Sequence, residues 1–375
     1  MSKGIYNKIQ KHTEGHFVRC CAIENKDRIY LGMENGGDAE GLCITYHYAK
    51  TRGKWAANCK PGYYRANCTV IPAENNSFVL IGWKGDVFAQ HGFKQHSKNP
   101  SDMIPNLIEE QPIPLLSNCP LASMRIIDGQ AYVAGAWRTV FRREGVENWT
   151  CLHGNNAKEV ERLQKSESIV GFSDIGGFGK DDIYACGAAG DLWHYDGKAW
   201  KQLDAPTNKD MVCMCCTPKG EVYIACEDGT LIKGRDSRWE VLKEKVSDDV
   251  QDMLWYQERL YIACSMHGLY QYDEQKVVST KGVSSFGEII GKEETLSEGN
   301  KRALEANGMS REDIDIVNAL SSVKMSSDIL ISPRRLATDG EMLLVSDNNR
   351  VVAFNGDEWK VLFVTYPSEN GGELW

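Results

Sequence analysis

Nowhere in the 375 residues is there an apolar run of the roughly 18 residues that a membrane-spanning helix needs. The opening segment, Met1-Ser-Lys-Gly-Ile-Tyr-Asn-Lys-Ile-Gln-Lys11, has no apolar block of signal-peptide length, so a cytoplasmic protein with no membrane partner is expected. A surplus of positive charge is missing as well. With 43 Lys and Arg against 52 Asp and Glu, the formal net charge is −9, which argues against direct binding of nucleic acid or an anionic surface. Catalytic signatures are lacking too. There is no phosphate-binding glycine loop, no His-Glu-x-x-His and no Gly-x-Ser-x-Gly, so the chain is expected not to be an enzyme and to carry no cofactor.

Thirteen cysteines in a chain without a secretory signal read as reduced thiols. Structural zinc takes paired ligands converging from two elements, whereas Cys213 and Cys215 alternate on one strand face with Cys216 on the other. His194 and His267 have no carboxylate or thiol at ligand spacing along the chain, and no metal site is expected.

What is present is a short unit that recurs: a β-branched or aromatic run, a Gly/Asp turn, a second run and often a Trp. Three consecutive copies are nearly superimposable: Asp182-Ile-Tyr-Ala-Cys-Gly187 with Leu192-Trp-His-Tyr-Asp-Gly197 and Trp200; Glu221-Val-Tyr-Ile-Ala-Cys226 with Thr230-Leu-Ile-Lys-Gly234 and Trp239; Arg259-Leu-Tyr-Ile-Ala-Cys264 with Gly268-Leu-Tyr-Gln-Tyr-Asp273. Looser copies begin at Arg28, Phe78, Ala131 and Met342. Each follows another apolar run, such as Met211-Val-Cys-Met-Cys-Cys216, which supplies an inner strand. A strand-only period of roughly 40 residues predicts propeller blades, each too small to bury its own face. The expectation is an all-β, seven-bladed β-propeller of four strands per blade, A to D, forming a single domain over 1–375. Cys186, Cys226 and Cys264 recur at one station of strand B, where they suit compact apolar filler between blades.

The turns divide into two sets. A-to-B and C-to-D connections are short pairs such as Asp128-Gly129, Asp196-Gly197 and Asn355-Gly356, whereas the long segments fall between D and the next A. Concentration of loops on one face marks it as the working surface. The longest segment has helical grammar: Thr295-Leu-Ser-Glu298 is a capping box, Asn307-Gly308 a stop and Ser310-Arg-Glu-Asp313 a second start. A helical insertion over 275–332 is therefore expected between blades six and seven, serving either as a lid or in partner binding.

On that face the sequence places Glu227 and Asp228 in the fifth B-to-C loop, Asp347 in the seventh, and Glu305 and Asp313 on the insertion. Trp83, Trp137, Arg138, Met266 and His267 fall in other B-to-C turns. Exposed aromatics and Arg are the residue types enriched at binding hot spots, so an acidic ring around such anchors suits a basic protein partner.

The pattern Ile183-Tyr-Ala-Cys-Gly187 with Leu192-Trp-His-Tyr-Asp-Gly-Lys-Ala-Trp200, together with the acidic charge, resembles the propeller-type immunity proteins encoded beside polymorphic toxins. More narrowly, it is similar to immunity proteins of DNase effectors delivered by the bacterial type VI secretion system. The resemblance implies a cytoplasmic inhibitor, monomeric in a 1:1 complex, that binds a cognate basic nuclease toxin domain and occludes its active site or DNA-binding surface. Two other classes compete. A propeller lyase or glycosidase would need paired carboxylates converging on the central pocket, and a scaffold of a larger assembly would co-purify with several partners.

Overall fold

The computed structural model describes residues 16–35, 40–47, 54–61, 65–95, 104–116, 119–154, 158, 160–162, 170–285 and 329–364. Runs rich in Val, Ile and Tyr, punctuated by Gly and Asp turns, form seven four-stranded antiparallel sheets. These cover residues 16–61, 67–110, 121–153, 172–202, 211–245, 250–279 and 335–364, and within each the strands run A, B, C, D in order. The A strands touch in cyclic succession, and the seventh touches the first. The molecule is an all-β propeller.

Each sheet hides its faces only against its neighbours. Seven buried apolar clusters lie one at each seam, from Cys20, Tyr30, Phe78 and Phe88 between the first two sheets to Tyr256, Leu269, Leu343 and Val352 between the last two. The B strands are covered on both sides. All five residues of Val222–Cys226 are buried, and Cys186, Cys226 and Cys264 are each 0% exposed. Burial pushes the Cys226 thiol up to about 11 and the Cys264 thiol up to about 12, so both stay protonated and act as packing groups at neutral pH.

Trp149, Trp200, Trp239 and Trp359 sit in D strands, where a large ring shields an outer edge, and position 55 falls in the D strand of the first sheet. The last of these, Trp359–Val364, is strand D of the seventh sheet. Closure is by packing: Val18, Ile29 and Leu31 meet Leu344, Val351 and Phe363, and the Val18 N–H donates to the Asn348 carbonyl at 2.8 Å.

The proposed insertion lies mostly outside the described residues, and Glu305 and Asp313 with it. Its flanks are extended, which corrects the 275–332 boundaries. Val277–Ser279 is strand D of the sixth sheet, and Val283–Ser284 pairs in parallel with Ile329–Leu330. β-branched Val277, Val278 and Val283 favour strand over helix here.

Five A strands share an irregularity. The register against strand B skips between Val18 and Cys20, Leu121 and Ser123, Phe172 and Asp174, Met211 and Cys213, and Val250 and Asp252. A bulge re-aims its unpaired residue. Arg19, Ala122, Ser173, Val212 and Gln251 are the residues skipped, and all five line cavities on the propeller axis.

Candidate functional site

The B-to-C turns occupy the stations assigned to them, but their side chains divide by role. Three named residues are bound into the scaffold. Arg138 makes a paired contact with Asp191, from Nε at 2.7 Å and Nη2 at 3.0 Å, and lies 4.8 Å over the Trp193 ring. Asp347 is 8% exposed and accepts the N–H groups of Asn349 at 2.6 Å and Arg350 at 2.7 Å. Asp228 is bridged by Lys209 and accepts the Thr230 N–H at 3.1 Å. The Lys209 ammonium and the Thr230 donors hold its carboxyl well below the usual carboxylate range.

The neighbouring Gly229 has φ +76°, and a Cβ there would lie 2.1 Å from the Val246 carbonyl oxygen. Gly229→Ala is expected to destabilise the fold by about 1–3 kcal/mol, read as a lowered melting temperature; an unchanged melt would contradict this packing.

The other anchors differ in exposure. Met266, in the turn of the sixth sheet, is 60% exposed, and Glu227, in the turn of the fifth, is also exposed. Trp137 is partly buried in a left-handed turn with φ 57°, and Trp83 is partly buried with the Arg65 guanidinium 5.8 Å from its ring centre. His267 donates or accepts at Nδ1 with Asp249 Oδ1 at 2.9 Å, and Asp249 also accepts the Met266 N–H. Asp248, Asp249 and His267 bring their ligand atoms within 4.8 Å of one another, a proximity invisible in their chain spacing. Asp249 already holds the Met266 and Ser265 donors, which makes it a clasp for this turn. His194 likewise has an unforeseen carboxylate, Asp182 Oδ1 at 2.8 Å from Nε2.

Of the expected acidic ring, Asp228 and Asp347 are paired within the fold, Glu227 is exposed, and Glu305 and Asp313 lie outside the described residues. Glu34, 7% exposed, pairs with Arg19 and accepts the Arg65 N–H at 2.8 Å. The centre of the same face is cationic instead. A cavity of about 480 Å³ opens there, lined by Arg19, Arg65, Arg334 and Arg335 with Trp83 at its wall. The charge count could not show this, because it depends on which A-strand starts converge. The Arg334-Arg335 doublet ahead of an apolar run was the available signal.

Deeper on the axis is a second cavity of about 230 Å³. Arg125 spans it, reaching Asp174 at 3.0 and 2.7 Å and Asp252 at 2.6 Å. Burial works against the Arg125 charge, and the attraction of the two carboxylates reverses this and holds its pKa well above the ordinary value. Paired carboxylates do converge on the axis, as a propeller enzyme would need. Their oxygens are committed elsewhere, however. Asp174 accepts the N–H groups of Ile175 and Met214, both at 2.9 Å, and Asp252 those of Met253 at 2.9 Å and Leu336 at 3.0 Å. Each carboxylate thus stitches its own sheet to the next. This is a structural lock: among the described contacts Asp174 accepts four hydrogen bonds and Asp252 three.

The molecule belongs to the class of all-β propellers with an outward set of turns around a cationic axial mouth. No protein-family model matches the chain. Over 198 residues it is 31% identical to the immune protein Tsi7 of Pseudomonas aeruginosa, a stretch that makes up 52% of this chain and 61% of that protein. The chain thus spans about three-fifths of the length of that curated relative. Among solved structures, Chaetomium thermophilum Raptor superposes with a TM-score of 0.54 at 9% identity, over 98% of this chain and 31% of that one, a likeness of fold alone. The WD40 β-propeller domain of Doa1 superposes with a TM-score of 0.47 at 10% identity, over 72% of this chain and 84% of that one. No helix among the described residues is long and apolar enough to cross a membrane.

Proposed function

We propose that this protein is an immunity protein: a seven-bladed, non-catalytic propeller that binds a toxin and blocks it. The observation that carries the reading is the 31% identity to the immune protein Tsi7. The commitment of Asp174 and Asp252 to the Arg125 lock supports a binding role over a central-pocket enzyme. The blade pattern around Ile183–Gly187 supports the finer reading that the toxin is a basic nuclease effector of a type VI secretion system, met in the cytoplasm as a 1:1 complex.

The docking surface in this reading is the face of B-to-C turns. Met266, His267, Glu227, Trp83 and Trp137 supply contacts there, while Arg138, Asp228 and Asp347 hold the turns in shape. Inhibition is steric: the rigid face covers the toxin's cleft and excludes its substrate. Mimicry of a polyanion is a lesser part, because Glu34, Asp228 and Asp347 are already paired within the fold.

Co-expression with a candidate nuclease toxin domain tests this. Growth is expected to be rescued, and light scattering is expected to give a 1:1 mass for the complex. Met266→Arg, at a side chain that is 60% exposed, is expected to weaken binding at least about tenfold without changing the melt. Failure of the intact chain to rescue growth or form a complex would refute the immunity role.

A further inference from the structure

A groove of about 570 Å³ lies at the seam between the sixth and seventh sheets, and its described lining shares no residue with the axial cavities. Val278, Ile329, Phe354 and Trp359 give it apolar surface. The Trp359 ring is fixed in place: it stacks on Phe354 at 4.8 Å between ring centres, and its N–H donates to the Lys281 carbonyl at 3.0 Å. An aromatic wall held in this way is ready before any ligand arrives. Thr280 borders the same groove. Its N–H donates to the Leu269 carbonyl at 2.8 Å, but its hydroxyl, on a residue only 5% exposed, has no hydrogen-bond partner among the described residues. A buried hydroxyl left unmatched destabilises, and beside a cavity it marks a place where a second polar group belongs. Charge in the lining balances: Arg259 and Lys281 are matched in number by Asp357 and Glu358, and all four are exposed. Arg259 is further held by Gln271 Oε1 at 2.8 Å, and Gln271 Nε2 donates to the Tyr261 hydroxyl at 3.2 Å. A ligand of net charge gains little from such a lining, whereas one with many uncharged donors and acceptors gains most.

We propose that this groove binds a saccharide, a neutral ring with apolar C–H faces and hydroxyls around its edge. The C–H faces suit the apolar surface of Phe354 and Trp359. Each sugar hydroxyl both donates and accepts, so one of them serves Thr280 whichever way its own hydrogen points, and others meet the carboxylate, amide and guanidinium groups of the rim. The volume of about 570 Å³ falls within the range of roughly 300–1,000 Å³ usual for small-ligand pockets. This site is separate from the face of B-to-C turns and does not rest on the immunity reading.

Saturation-transfer NMR and calorimetric titration of the intact chain with maltotriose, cellotriose and chitotriose test the site. Saturable binding of at least one is expected. Thr280→Val, close in shape but without the hydroxyl, is expected to weaken it at least about tenfold while leaving the melting temperature unchanged or higher, because no orphan group remains. Thr150→Val, on the exposed outer strand of the third sheet, is the control and is expected to leave binding unchanged. A lowered melt with unchanged binding in Thr280→Val would make the hydroxyl structural and overturn the proposal. No saturable binding of any of the three sugars, or equal loss in Thr150→Val, overturns it as well. Binding of N-acetyl-leucine amide but of no sugar overturns it in favour of a protein segment. Growth rescue judges the immunity reading separately, so the two fail independently.

Discussion

Arg125→Met is expected to cost the fold about 3–5 kcal/mol, the scale seen when one partner of a buried charge set is removed. Asp174 and Asp252 each have side chains only 2% exposed, and Arg125 is their shared counter-charge. Removing it leaves two carboxylates on the axis with backbone donors but without the cation that pairs them. Arg125 itself is 26% exposed toward the channel, so water offsets part of the loss and the lower end of that range is favoured. Urea denaturation gives the direct measurement. The triple variant Arg125→Met, Asp174→Asn, Asp252→Asn is expected to regain part of the stability, because no bare charge remains, although each amide oxygen keeps only one of the two backbone N–H bonds and the amide NH2 faces the other donor. A single variant that loses less than about 1 kcal/mol would mean that the lock is not a structural element.

The effect reaches beyond one contact. Arg125 belongs to the third sheet, Asp174 to the fourth and Asp252 to the sixth, while Met214 and Leu336 bring in the fifth and seventh. Five sheets share one network, so its failure is expected to lower the cooperativity of unfolding as well as its midpoint.

Arg143→Met carries the second large effect, again about 3–5 kcal/mol by the same reasoning. The Arg143 side chain is 1% exposed and that of Glu110 0%. Arg143 donates to Glu110 at 2.7 and 2.8 Å and to Glu74 at 2.8 and 3.1 Å, and lies 5.5 Å from the centre of the Trp149 ring. The cluster seals the outer seam between the second and third sheets. Adding Glu110→Gln to Arg143→Met is expected to recover part of the loss, since it removes the stranded charge.

Glu110 also sets a pH dependence. Burial pushes its carboxyl up, but hydrogen bonds from Arg143, the Glu147 N–H and His91 more than offset this and hold it below the ordinary value. With the folded value below the unfolded one, its stabilisation is complete above an unfolded pKa of about 4.3 and is lost as pH falls through the folded value. The stability difference between the parent and Glu110→Gln is therefore expected to shrink with acidification below about pH 4. A difference that is flat from neutral to acid pH would exclude this linkage.

Strand and turn were legible in the chain because their causes are local. The run Glu221–Cys226 followed by Asp228-Gly229 carries β-branched residues and a turn pair within a few positions, and the structure places strand, turn and strand there. Cys186, Cys226 and Cys264 could be read as interior filler for the same reason: their common station in the repeat implied a common environment. The short parallel pairing of Val283–Ser284 with Ile329–Leu330 was not legible, since its partners are far apart in sequence and each is only two residues long. Nor was the fate of the charged turns. Arg138 is an expected anchor by its turn position, and Asp191 lies beside it because the third and fourth sheets pack together.

By itself the sequence determined the period, the strand-turn grammar and the composition of the seams, since alternation and turn chemistry act between near neighbours. Only the tertiary structure decided which charges are spent and which face outward. Arg125 finds Asp252 across 127 positions of chain, and the four arginines of the axial mouth come from three sheets. Electrostatic sign at a surface is a sum over groups brought close by closure of the ring, and a count along the chain cannot perform that sum.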